Sequence, residues 1–321
     1  MEVDKRELSD AELLEFEETY DNFLSRAWRG FKTALMGTLF VMAKDSTLSF
    51  CSNLIGMIID FLQMLAFPFN YASEFPWNQS YSGWFAYICF ISKLELYISA
   101  DNPLQNLIIY VCSMLLVVLT LVNAGIVGYK FLKKKVQNVF LLKILRSVAG
   151  LVTTVLYMPF LSQFSIIFGC AIGTMVMDGC PTQQPALLAV SAALISAIFA
   201  MLSLIVAASF YEQDYTSDDV SARPHARVEL LFLVVKGVVT VIFNVAPTIE
   251  YQNLHIFSIM ALGVPITFMY IWYMPYYDYR TTVVQAQFLG VYTWCGICLL
   301  IAKLEGNIED AGPITLFYLG S

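Results

Sequence analysis

Two charged residues inside long apolar runs are the strongest candidates for chemistry in this sequence. Asp60 lies in the run Leu48–Phe69, and Lys236 lies in Val228–Ala246. A charge in hydrocarbon is costly and turns toward a bundle interior or a wet cavity. At roughly 1.5 Å per residue, Asp60 sits about 18 Å from the inner end of its helix and Lys236 about 12 Å from the inner end of its own. Those depths are compatible with a direct or water-bridged ion pair. Gln63 and Asn53 are placed to join Asp60, and Asn244 follows Lys236 by two turns on a similar face. Such a cluster suits an ion or proton path, or a polar switch between helices. It equally suits a buried pair that fixes helix register. Lys236 could also snorkel to the headgroups without a partner.

Other reactive side chains are sparse. The two histidines, His225 and His255, fall on opposite sides in the topology below, which argues against a shared metal site or a Ser/His arrangement. Cys295-Gly-Ile-Cys298 has the spelling of a redox or zinc motif but lies in the middle of an apolar run, where packing is the default. Phosphate-loop, zinc-protease and nucleophile-elbow patterns are missing. The sequence therefore predicts no catalytic residue, no metal and no cofactor.

The elements that hold these residues must be membrane helices. The chain is 58% hydrophobic and 13% charged, against about 25% charged in an ordinary soluble domain. A helix needs about 20 mostly apolar residues to cross the hydrocarbon. Leu48–Phe69, Leu104–Leu132, Ser147–Phe168, Pro185–Tyr211, Val228–Ala246, His255–Met274 and Val283–Ala302 meet that condition. The runs are continuous, so they are helices and not alternating barrel strands. The tail from Gly312 to Ser321 reads as an eighth span cut short. The expectation is an all-α polytopic transmembrane bundle over residues 47–321, with seven complete spans and a truncated eighth, belonging to a longer protein. Residues 1–46 are expected to form a cytosolic acidic segment and an amphipathic helix.

Basic residues set the orientation. The N-terminal segment holds Lys5, Arg6, Arg26, Arg29, Lys32 and Lys44. The second-to-third connection holds Lys130, Lys133, Lys134, Lys135, Lys143 and Arg146. Arg223 and Arg227 lie in the fourth-to-fifth connection, and Arg280 in the sixth-to-seventh. Of 18 Lys and Arg, only Lys93 and Lys303 fall on the other side, with Lys236 inside a span. The N-terminus is therefore expected in the cytoplasm. The sequon at Asn78 falls in the first outer loop, a candidate glycosylation site. Cys170 and Cys180 bracket the second outer loop, where an oxidising compartment would permit a disulfide. Two free thiols at the interface are the alternative. The net charge of −7 gives no reason to expect a nucleic-acid partner.

Several segments have two readings. Ser9-Asp-Ala-Glu12 is a capping box. Beyond it, Leu24, Ala27, Trp28, Phe31 and Leu35 recur at helical spacing, fitting a helix on the inner leaflet or one packed against protein. Trp84–Ser92 is apolar but short, and reads as interfacial or re-entrant. Ala189, Ala193 and Ala197 lie four apart, a face suited to packing within the bundle or to a homo-oligomer contact. Gly263 and Pro265 should kink the sixth span. Tyr270, Trp272, Tyr273, Tyr276, Tyr277 and Tyr279 read as an interfacial aromatic belt.

From about Leu54 onward, five short pieces recur in an order that resembles the N-terminal membrane region of the tiny macrocysts B/C family of protist multi-pass proteins. They are Ile58–Gln63 (IIDFLQ), Tyr157–Leu161 (YMPFL), Cys170 with Cys180-Pro181, Ala222–Glu229 (ARPHARVE) and Tyr273–Tyr277 (YMPYY). The resemblance implies a complete protein with further spans, then cytosolic helical repeats of the TPR kind, often with PAS-type sensory modules. It carries over no catalytic residue.

The expected function is the membrane part of a sensory or signalling protein coupled to cytosolic modules of the same longer chain. A channel or transporter built on Asp60 and Lys236 is the alternative. A G-protein-coupled receptor would have an outside N-terminus, which the basic residues oppose. Lys133, Lys134, Lys135, Arg223 and Arg227 form a cytosolic basic patch that could meet those modules or the anionic lipid bilayer, or simply set the topology.

Overall fold

The structure, a computed structural model, describes residues 50–69, 103–133, 155–173, 185–209, 226–246 and 251–305, with isolated positions elsewhere. Among the described residues there are seven helices and no strand. In chain order they are α1 Phe50–Leu65, α2 Pro103–Leu132, α3 Tyr157–Ile172, α4 Pro185–Ser209, α5 Arg227–Val245, α6 Gln252–Tyr273 and α7 Tyr279–Glu305.

Five of these, α2 and α4 to α7, are long and apolar enough to cross a membrane. That differs from the seven full spans expected. Helices α1 and α3 have 16 residues each, about 24 Å by the helical rise. Helix α1 stops at Leu65 and gives way to a buried turn through Phe69. Helix α3 begins ten residues later than the apolar run that contains it, for a reason given below. The expected eighth span, the amphipathic N-terminal helix and the Trp84–Ser92 segment lie outside the described residues.

The faces of α2 show which solvent the fold is built for. Its inward seam is Asn106, Tyr110, Ser113, Val117, Thr120 and Val127, all buried. Its outward face is Leu104, Ile108, Val111, Leu115, Leu119, Val122 and Ile126, all exposed. In water this arrangement would be inside out, because an apolar patch of that extent aggregates. In lipid the apolar face costs nothing, and the polar seam supplies interhelical bonds. Gln163 Nε2 donates to the Asn106 carbonyl at 3.1 Å, and the Tyr110 hydroxyl donates to Ser191 Oγ at 2.9 Å. These bonds tie α2 to α3 and α4.

Helix α3 is the axis of the bundle. From Tyr157 to Ile167 every residue is buried. Phe160 and Phe164 pack against Phe199 of α4, with ring centroids 5.9 and 6.0 Å apart. Gly173 ends the helix in the left-handed conformation that glycine adopts without strain. Helix α4 buries Ala192, Ile195 and Phe199, so Ala193 and Ala197 face outward. The alanine face therefore does not serve packing among the described helices.

Helices α6 and α7 pack closely along their length, and two glycines explain their approach. A Cβ at Gly296 would lie 2.7 Å from Ile259 Cγ2. A Cβ at Gly263 would lie 3.0 Å from Thr293 Oγ1 and 3.2 Å from Tyr292 Cε1. Helix α6 runs unbroken through Pro265. Asp278 caps α7: its Oδ2 accepts from the Thr281 amide at 3.2 Å and the Thr281 hydroxyl at 2.8 Å. Phe61 of α1 stacks on Phe288 of α7 at 4.5 Å, closing the ring of helices on that side.

Candidate functional site

Helix α5 carries a polar line on one face: Glu229, Lys236, Thr240 and Asn244. Lys236 Nζ lies 3.1 Å from Asp60 Oδ1 of α1, a direct ion pair. The Lys236 side chain is 3% exposed and the Asp60 side chain 17%. The ammonium also lies 4.7 Å from the Phe232 ring and 6.0 Å from the Tyr157 ring, where the negative ring faces attract it. Gly237 makes this crowding feasible, since a Cβ there would stand 2.6 Å from the Tyr157 hydroxyl oxygen. Attraction in such a dry place is large, but so is the cost of stripping water from both ions. The pair therefore contributes little net stability, while loss of one partner leaves a buried orphan charge.

Gln63, one turn beyond Asp60, does a different job. Its Nε2 donates to the Val155 carbonyl at 2.7 Å. That carbonyl lies four residues before Pro159, whose missing N–H would have been its partner in a continuous helix. Leu156 N donates instead to the Leu151 carbonyl five residues back, at 3.0 Å. Proline thus interrupts the helical ladder, α3 starts only at Tyr157, and a side chain of α1 caps the carbonyl set free. An orphan carbonyl in hydrocarbon costs several kcal/mol, so a broken helix persists at depth only where protein or water satisfies it.

The other nominated polar residue stays out of the pair. Asn244 Nδ2 donates to the Thr240 carbonyl at 2.7 Å, and Thr240 Oγ1 donates to the Lys236 carbonyl at 2.7 Å. Both side chains bond their own helix. Asn53 lies in α1, but its side chain lies outside the described ones.

A second carboxylate, not singled out from the sequence as a site, anchors the far end of the same face. Glu229 Oε2 accepts from the Tyr270 hydroxyl at 2.9 Å and from the Tyr276 hydroxyl at 3.0 Å. Tyr270 is fully buried, against Phe232 at 6.0 Å. So two of the expected belt aromatics turn inward. Trp272, Tyr273, Tyr277 and Tyr279 are exposed. Tyr276 sits in the short α6–α7 connection, where Met274 takes a left-handed conformation, φ 41°. A non-glycine residue there marks local strain. The signal that could have found Glu229 is an acidic residue in the first turn of an apolar helix, where the helix dipole favours it.

The remaining nominated residues are placed as follows. Cys170 and Cys180 are joined by a disulfide. Cys295 and Cys298 are buried in α7 and are not disulfide-bonded, beside the Gly296 contact. His255 is buried and stacks on Phe243 at 4.2 Å. Lys133 is exposed at the end of α2, with its ammonium 4.6 Å from the Tyr129 ring. Arg227 is exposed at the start of α5. Asn78, Lys134, Lys135, Arg223 and His225 lie outside the described residues. Among the described residues, no three His, Cys, Asp or Glu side chains converge as metal ligands would.

No family model matches the chain, and no solved structure matches it. Two curated proteins of Dictyostelium discoideum do. Tiny macrocysts protein B is 22% identical over 299 residues, covering 90% of this chain and 20% of that protein. Tiny macrocysts protein C is 23% identical over 305 residues, with the same coverage of 90% and 20%. The chain thus spans about one fifth of the length of these relatives. It is similar to the tiny macrocysts B/C family over nine-tenths of its own length, as its sequence pieces suggested. Four of those pieces approach one another in two pairs. Ile58–Gln63 reaches the start of Tyr157–Leu161 through Gln63 and the Asp60–Lys236–Tyr157 contacts. Ala222–Glu229 reaches Tyr273–Tyr277 through Glu229 and Tyr276.

Proposed function

We propose that this chain is the membrane part of a sensory or signalling protein, and that the Asp60–Lys236 pair is its switch. The supporting observation is that the pair joins two helices, α1 and α5, beside an interrupted third. A buried contact of this kind is a two-state element. Closed, it holds α1 on α5. Opened, each charge needs water or a new partner, so the helices must shift. Lys236 and Glu229 lie seven residues apart on one face of α5, so a shift at the pair moves the rim where Glu229 holds Tyr270 and Tyr276. Cytosolic modules of the longer protein would read that rim.

The topology that goes with this reading has seven complete crossings and a cytoplasmic N-terminus. The one-sided basic residues support the orientation, and the five long apolar helices supply five of the crossings. The Cys170–Cys180 disulfide also supports the orientation, since it belongs in an oxidising compartment, on the side opposite Arg227 and Arg280. Helices α1 and α3 are short; α3 is buried from Tyr157 to Ile167 and α1 ends in a buried turn, and protein-lined breaks are tolerated at depth.

The test is a pair of probes on the exposed positions 227 and 280, introduced as Arg227→Cys and Arg280→Cys in a chain lacking its free thiols. In lipid nanodiscs, Asp60→Asn should change the distance distribution between them. An unchanged distribution would remove the switch.

A second reading, a channel or transporter, draws on one specific observation. Interrupted helices that present backbone carbonyls beside charged residues are the way many transporters build ion sites, and Val155 beside Gln63 and Asp60 has that form. Ion flux into liposomes that is lost in Asp60→Asn would favour it.

A further inference from the structure

We infer that the basic end of α2 is a binding site for an anionic glycerophospholipid. Val122, Gly125, Ile126, Tyr129, Lys130 and Lys133 line one groove of about 430 Å³. They stand at i, i+3, i+4, i+7, i+8 and i+11, so they form one stripe along the helix. The stripe changes chemistry in order. Val122 and Ile126 are exposed and apolar. Between them Gly125 is a notch, with open space where a side chain would stand. Then come Tyr129, exposed, and the ammonium groups of Lys130 and Lys133.

This order matches the order of groups along a phospholipid. An acyl chain would lie in the notch against Val122 and Ile126. The ester region would meet the Tyr129 ring, in the place where aromatic residues favour the interface. The phosphate would lie between Lys130 and Lys133. Charge selects the headgroup: two ammonium groups favour a lipid with net negative charge over a zwitterionic one, and basic pockets on the cytoplasmic side bind such headgroups. Lys133 is already held over the Tyr129 ring at 4.6 Å, which limits the freedom it must lose on binding. The outward face of α2 is exposed among the described residues, and its apolar-to-basic order is that of a bilayer lipid. The site stands whether the bundle signals or transports; only the choice of the inner leaflet rests on the topology proposed above.

The whole chain, reconstituted in nanodiscs of equal phosphatidylserine and phosphatidylcholine and released into native mass spectrometry, reports which lipid it retains. The wild type should keep phosphatidylserine preferentially. Lys130→Gln with Lys133→Gln should lower that preference by about 25-fold, from about fivefold for each lysine near the surface. Gly125→Leu, which fills the notch and leaves both lysines, should reduce retention of either lipid. Lys303→Gln, at the opposite end of the bundle, should leave the preference intact. An unchanged preference in the double lysine variant would overturn the proposal. So would disulfide-linked dimers of Gly125→Cys forming in high yield, since the groove would then seat a second copy of the chain.

Discussion

Asp60 and Glu229 are both partly shielded carboxylates inside the bundle, and they differ in depth. Asp60 meets a cation, Lys236, at 3.1 Å. Two phenols, Tyr270 and Tyr276, donate to Glu229 at 2.9 and 3.0 Å. Glu229 sits two residues into α5 beside exposed Arg227, within reach of the interface. Asp60 sits ten residues into α1, about 15 Å along it, where an ionised carboxylate needs a full countercharge. The rim contact can be lost and replaced by water. The central contact cannot, so its opening must be coupled to movement.

The first way to break this contrast is to remove one central charge. Asp60→Asn should destabilise the protein by about 3–5 kcal/mol, the usual cost of an orphaned buried ion, as read by unfolding in detergent. A cost below 1 kcal/mol would mean that water already reaches Lys236. Gln63→Leu removes the donor from the Val155 carbonyl and should cost less, about 1–3 kcal/mol, the usual penalty of a buried acceptor that loses a partner. That cost should shrink in a Pro159→Ala background, where the restored amide can serve Val155. An equal cost in both backgrounds would detach Gln63 from the helix break. Tyr276→Phe removes a donor from Glu229 at the rim of the bundle, and should cost about 0.5 kcal/mol. The smallest effect belongs to the outward alanine face. Ala193→Leu should change stability by less than about 0.5 kcal/mol. A larger cost that grows on dilution would place a second copy of the chain on α4.

The apolar runs made the helices legible, because a membrane helix must satisfy its backbone internally and so leaves a long uninterrupted signal. The ends of α2, α4, α5, α6 and α7 fall within four residues of the expected spans. Helix α3 departs further. Its apolar run is continuous through Pro159, and hydropathy does not register a missing N–H. The proline was visible, and with it the orphan carbonyl at Val155, but nothing local says that the donor comes from Gln63, 92 residues away. Asp60 and Lys236 were legible because charge in hydrocarbon is rare and the helical rise fixes its depth. Glu229 was not, because at the edge of a span a carboxylate looks like ordinary interfacial charge. Tyr270 and Tyr276 blended into the run of aromatics around them, and only rotation about α6 separates the inward pair from the outward belt. The alanines of α4 read as a packing face on spacing alone, whereas the bulkier Ile195 and Phe199 took the inward side.

The coupling between Asp60 and Lys236 is the claim on which the account turns, and a double-mutant cycle in a lipid environment measures it directly. The account predicts that Asp60→Asn and Lys236→Met are each strongly destabilising, and that the double variant costs less than either alone. Strictly additive losses would contradict it, because the two side chains would then be buried independently and no contact between α1 and α5 would be there to open.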